Sequence, residues 1–163
     1  MVGDWARATI KYLEMIWTLL CLVSTLALAQ APVEGPAVDL DLDALRWKNR
    51  VLVLFSHSEF DPSFRLQKQD LGANAEGALD RDLMILDILE NGQSRAGNSP
   101  LSGKTVEKIR ATLGAKSGSF EVYLIGKDGG VKLRSPEPVP AKDIFRLIDS
   151  MPMRRQEMDN QRE

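Results

Sequence analysis

Val51 to Phe55 form an unbroken apolar run between Arg50 and the polar Ser56-His57-Ser58. That pattern suits a strand buried on both faces, and it predicts a place in the middle of a sheet. Leu83 to Leu89, LMILDIL, repeats it. Between the two runs, Asp61-Pro62 reads as an N-cap followed by proline at the first helical position, where its missing N–H costs nothing. A helix to about Leu71 follows, with a break or a frayed end expected across Gly72 to Gly77 before Asp80. Residues 90–100, ENGQSRAGNSP, have loop composition.

Beyond that loop Ser102 is a credible N-cap, and Leu101 and Val106 have the spacing of a hydrophobic staple. Val106, Ile109 and Leu113 share a helical face, and Gly114 stands where a left-handed C-cap residue belongs. Phe120, Val122 and Leu124 then alternate with Glu121, Tyr123 and Ile125. Gly126-Lys127-Asp128-Gly129-Gly130 turns the chain into Val131 to Arg134, an antiparallel hairpin whose last strand lies at the sheet edge. After Pro138 and Pro140 a final helix sets Ile144, Leu147, Ile148 and Met151 on one stripe, which needs a sheet face to cover it. The predicted order is β-α-β-α-β-β-α: one α/β domain, a mixed sheet of about four strands flanked by helices. This is the thioredoxin-like order, although order alone also admits another α/β sandwich topology.

Composition narrows the setting. A chain of 163 residues with 44% hydrophobic and 27% charged content is one globular domain with ends to spare. A net charge of −2 and a pI near 5.5 lack the basic stripe of a nucleic-acid binder. At the N-terminus, Arg7 and Lys11 precede the apolar run of residues 16–29, and Ala27-Leu28-Ala29 is an A-x-A cleavage pattern. Fourteen apolar residues are fewer than the ~20 that span a bilayer. The expectation is therefore a cleavable signal over residues 1–29, a flexible leader over 30–38, a domain over 39–152, and a polar tail over 153–163. The product is an exported protein, periplasmic or secreted, with no stable membrane insertion. The only cysteine, Cys21, lies within the signal, so no disulfide is available after cleavage.

Three stretches, RWKNRVLVLFS at 46–56, LIGKDGGVKLRS at 124–135 and IDSMPMRRQEM at 148–158, together resemble the domain-of-unknown-function 4174 family, over about residues 39–158. The resemblance implies a thioredoxin-like fold and an extracytoplasmic setting, as in exported bacterial proteins and in matrix proteins with sushi or coiled-coil segments. It brings no established activity.

In that fold the thiol enzymes place their cysteines at the turn from first strand to first helix. Here the turn is Ser56-His57-Ser58-Glu59-Phe60-Asp61, and the chain before the third strand, Lys116 to Phe120, has no proline to supply a cis-Pro. Thiol redox chemistry is not expected. His57 is the only histidine and hence the one conventional acid–base candidate. Ser56 and Ser58 flank it, but neighbours on an extended chain point apart, and a triad needs convergence through the fold.

Other motifs yield less. Ser102-Gly103-Lys104-Thr105 looks like the end of a phosphate loop, but its upstream glycine is out of register, so it reads as a helix start and no nucleotide is expected. Asp39, Asp41 and Asp43 share calcium-loop spacing without the turn glycine or closing glutamate, and no metal or cofactor is expected. Trp47 reads as a core or rim anchor. The favoured expectation is a non-catalytic interaction module for a protein or another envelope or extracellular component. Its contacts are assigned to Ser56, His57, Ser58, Arg154 and Arg155. The rival is an envelope enzyme using His57.

Overall fold

The sheet is built around Arg50–Ser58 (β1), whose residues 51 to 55 are at most 2% exposed. Each such side chain contributes about 1.5–3 kcal/mol relative to exposure. The computed structural model describes residues 36–162, so the expected signal and most of the leader lie outside the described residues. β1 pairs in parallel with Leu83–Asn91 (β2), Arg50 opposite Leu83 and Ser58 opposite Asn91. Its other side pairs antiparallel with Glu121–Ile125 (β5), which pairs in turn with Val131–Ser135 (β6).

The sheet has six strands, not about four. The loop at 90–100 contains two-residue strands, Arg95–Ala96 (β3) and Ser99–Pro100 (β4), which line up outside β2 in the order β4-β3-β2-β1-β5-β6. Strands that short carry no alternation for a sequence to display, and their Gly, Asn and Ser content looks like loop.

The helices follow the predicted caps. Pro62–Ala73 (α1) starts on Asp61, whose carboxylate accepts from the N–H groups of Ser63 and Phe64. Asn74 ends it, and Ala75–Asp80 (α2) begins at once, which is the expected break. Gly103–Leu113 (α3) is capped by the Ser102 hydroxyl accepting from Thr105 N–H and closed by Gly114 at φ 62°. Ala141–Asp149 (α4) carries the expected apolar stripe.

Strand parity divides the core. Leu52 and Leu54 of β1 join Phe64, Leu71, Ile144 and Ile148 beneath α1 and α4. Val51, Val53 and Phe55 join Ile109 on the α3 side, together with the staple residues Leu101 and Val106. The β1–β5 layer thus has a covered face on each side.

Two expectations are corrected here. The segment after Met151 is a helix, Pro152–Asn160 (α5), rather than a tail. It has no broad apolar face; ion pairs hold it. Trp47 is no core anchor: it is 67% exposed, with a left-handed φ of 65° fixed by its N–H donating to the Lys127 carbonyl. Among the described residues no helix is long and apolar enough to cross a membrane.

Candidate functional site

The carboxyl ends of the parallel strands β1 and β2 form a crown, where open α/β sheets hold ligands. β1 runs three residues past its apolar core, so Ser56 and Ser58 belong to the strand and fall on one face while His57 falls on the other. Ser56 is 1% exposed and its hydroxyl donates to the Ser58 carbonyl at 3.0 Å. It is a strand-end bond, not a nucleophile beside a base.

His57 points to the α3 face and meets β2. Its Nδ1 lies 3.0 Å from Glu90 Oε2, and its Nε2 lies 2.9 Å from Asn91 Nδ2. The other Glu90 oxygen accepts from Gly118 N–H at 2.8 Å and faces Arg110 at 3.5 Å. The bond from His57, then that from Gly118, holds the Glu90 carboxyl below its usual range against a smaller opposing effect of burial. An ionised Glu90 has no proton to give, so Nδ1 donates; in the neutral ring Nε2 then accepts from the Asn91 amide. Both ring nitrogens are occupied.

Beside this cluster Glu121 accepts from Tyr123 at 3.0 Å and from Arg134 at 2.8 Å. Burial opposes its ionisation, but those two donors outweigh burial and hold its carboxyl low. Arg110 lies over the Phe55 ring and Arg134 over the Tyr123 ring, at 5.2 and 5.1 Å from the centroids. Phe60, in the turn after β1, is 76% exposed.

Sequence reasoning located His57 and missed Glu90, Asn91 and Arg110. Glu90 and Asn91 follow LMILDIL directly, and pairing the ends of the two apolar runs in parallel would have found them.

The Arg154 and Arg155 pair divides. Arg155 is exposed, whereas Arg154 is 3% exposed and donates to the Asp80 carbonyl at 2.8 Å and to the Asp80 and Asp149 carboxylates. Arg154 is therefore corrected from a partner contact to the residue that ties α5 to α2 and α4. Nothing in the structure places Arg155 with the crown.

The remaining motifs have internal partners. Asp41 pairs with Lys108 at 2.9 Å, Asp43 with Arg46 at 3.2 Å, and Asp39 accepts from Ser102. Among the described residues no group of three or more His, Cys, Asp or Glu side chains is arranged to hold a metal ion.

Known structures share this fold. The reduced 2-Cys peroxiredoxin of Plasmodium vivax superposes with a TM-score of 0.53 at 15% identity, covering 73% of this chain and 85% of that one. A mitochondrial 2-Cys peroxiredoxin of Plasmodium falciparum gives 0.50 at 14% identity, over 68% and 80%. At such identity the likeness speaks for the thioredoxin-like fold alone.

Sequence relatives are longer proteins. The chain is 29% identical over 112 residues to the sushi repeat-containing protein SRPX2 of Xenopus laevis, 67% of this chain and 24% of that protein. It is 30% identical over 128 residues to the human SRPX2, 75% and 27%. With coiled-coil domain-containing protein 80 of Danio rerio it shares 29% over 133 residues, 72% and 15%. The chain thus spans about a quarter or less of the length of these relatives. The family profile described as "Domain of unknown function (DUF4174)" matches residues 41–157, and over that thioredoxin-like domain the chain belongs to this family.

Proposed function

We propose that this protein is an exported binding module that has given up thiol chemistry and engages a protein or other envelope or extracellular partner through its crown. The observation that carries the reading is the union of a pre-ordered polar cluster with an exposed aromatic. His57 is held at both nitrogens, and Phe60, three positions on, is 76% exposed. Preordered polar groups beside an exposed aromatic suit recognition, because little side-chain freedom remains to be lost on binding.

The turn where thioredoxin-fold enzymes carry a thiol has Ser56, His57, Ser58 and Glu59, and the chain's single cysteine is Cys21. Export rests on the N-terminal pattern of charged flank, apolar run and A-x-A. The lengths of the relatives, which carry this domain within larger proteins, also favour a module that binds.

A photo-crosslinking residue at position 60, compared with one at Val131, tests the reading in the exporting cell. A discrete adduct from position 60 that His57→Ala weakens several-fold supports it. Equal adducts from both positions, or none, count against it.

The Glu90–His57 bond favours a second reading, an enzyme using His57 as a base, since a carboxylate behind an imidazole orients it for proton transfer. Against it, Nε2 is already engaged by Asn91. Loss of a defined hydrolytic or isomerase activity in His57→Ala, with crosslinking intact, would favour this second reading.

A further inference from the structure

A second feature lies at the opposite end of β1. Arg50 opens the strand and is 1% exposed; its guanidinium donates to the Arg81 carbonyl at 2.9 Å and to Glu157 of α5 at 3.2 Å, while its buried Nε has no hydrogen-bond partner. Above it opens a cleft of about 300 Å³. Its lining is Arg50, residues 126–128 with Lys132 from the β5–β6 hairpin, and residues 150–153 from the junction of α4 and α5. All of these residues belong to the three stretches 46–56, 124–135 and 148–158 that carry the family resemblance. Segments scattered over a hundred positions of chain thus converge on one concavity, away from the crown.

Its chemistry is amphiphilic. Met151, Pro152 and Met153 supply an apolar wall. The Lys127 ammonium, whose side chain is 9% exposed, uses two of its three donors on Asp82 and Glu157, each at 2.8 Å. Lys132 bonds Asp128 at 2.6 Å and keeps two donors. Helix α5 also begins here, with Met151 at the N-cap offering no capping side chain and Pro152 next. The first-turn N–H groups of Met153 and Arg154 therefore have no capping side chain, and the positive end of the helix lies at the residues that line the cleft. Asp82, Asp128 and Glu157 balance the charges of Arg50, Lys127 and Lys132, so what the cleft offers an anion is unused N–H donors rather than net positive charge, and that suits a single carboxylate rather than a dianion.

We propose that this cleft binds a carboxylate carried on a short apolar body. The carboxylate takes the spare donors of Lys132 and Lys127 and the start of α5, and the apolar body lies against Met151 and Met153. A free carboxylic acid and the C-terminus of a polypeptide ending in an aliphatic residue share this chemistry. The site is independent of any partner at the crown.

Titration of the 15N-labelled full chain, followed by amide NMR shifts, tests it with four probes: hexanoate, hexanamide, and an acetylated pentapeptide ending in leucine as its free acid and as its amide. The expected result is saturable shifts confined to residues 126–132 and 150–154, with each acid at least tenfold tighter than its amide. Lys132→Gln, which leaves the Arg50–Glu157 contact untouched, should weaken the acids at least fivefold without altering the remaining spectrum. Tighter binding of the peptide acid than of hexanoate assigns a polypeptide terminus, and the reverse assigns a free acid. Acids and amides binding alike, shifts scattered over the surface, or an undiminished Lys132→Gln each overturn the proposal.

Discussion

Arg50 and Glu157, 107 positions apart in the chain, meet guanidinium to carboxylate at 3.1 Å, joining the first residue of β1 to α5. Lys127 reaches the same carboxylate, and Arg154 ties the helix to Asp80 and Asp149 from within. Charge, rather than apolar area, docks the end of this domain.

Arg154→Ala should therefore detach α5. The substitution deletes the bonds of a buried guanidinium to the Asp80 carbonyl and to the Asp80 and Asp149 carboxylates, while Arg81 still compensates both carboxylates, and a loss of about 1.5–3 kcal/mol is expected. Arg155→Ala, on the exposed side, should stay within about 0.5 kcal/mol. Urea unfolding of the two variants measures the contrast; equal losses would contradict the docking described.

Acid should loosen the same helix. Burial alone would raise the Glu157 carboxyl, but Lys127 and Arg50 prevail and hold it below its usual value of 4.5. A lowered folded-state pKa contributes stability that is present above the unfolded value and lost as pH falls through the folded one. Glu157→Gln should be less stable at pH 7 by roughly 1–3 kcal/mol, the worth of hydrogen bonds to a charged group. Its stability should also change less than the parent's below about pH 4.5. Melting temperatures measured across pH 3–7 read both effects.

Asp87 behaves in the opposite sense. It is 8% exposed on β2, bonded to Lys68 at 2.8 Å through one oxygen while the other accepts no hydrogen bond. Burial raises its carboxyl more strongly than Lys68 lowers it. A raised folded-state pKa means a contribution that is full below the unfolded value and lost as pH rises through the folded one. Asp87→Asn should accordingly be neutral or stabilising at pH 7, by up to about 1 kcal/mol, and that gain should vanish at low pH. A large loss of melting temperature at pH 7 would show the carboxylate to be required.

At the crown, long-range 15N–1H correlations of the imidazole should find the Nδ1–H tautomer of His57, the less common form in free histidine. Glu90→Gln should leave global stability nearly unchanged, since exposed ion pairs contribute little. Exchange of the Gly118 amide, which now donates to Glu90 at 2.8 Å, should quicken. An Nε2–H tautomer in the parent would contradict the hydrogen-bond assignment.

Much of this was legible in the chain because local chemistry and burial agree there. VLVLF and LMILDIL are strands, Asp61 and Ser102 cap the helices they precede, and Gly114 ends one in the left-handed conformation. Elsewhere local pattern carries no such information. α5 is polar on nearly every side, so no apolar period announces it, and two adjacent arginines look alike until Asp80 and Asp149 are brought beside one of them. Trp47 reads as a core or rim anchor, and core is excluded because the Lys127 carbonyl holds its backbone where the ring projects outward. His57 was visible, but Glu90 and Asn91 became its partners only through the register of β1 on β2.

The alternation of β1 between two separate cores has a consequence for descent. Its two ends carry different groups, a histidine cluster at one and an arginine-floored cleft at the other, with buried aliphatic residues between them. Replacements at one end need not disturb the other. A lineage can therefore exchange the groups at one end while inheriting the other unchanged, and this strand offers evolution two nearly independent positions for change within one small domain.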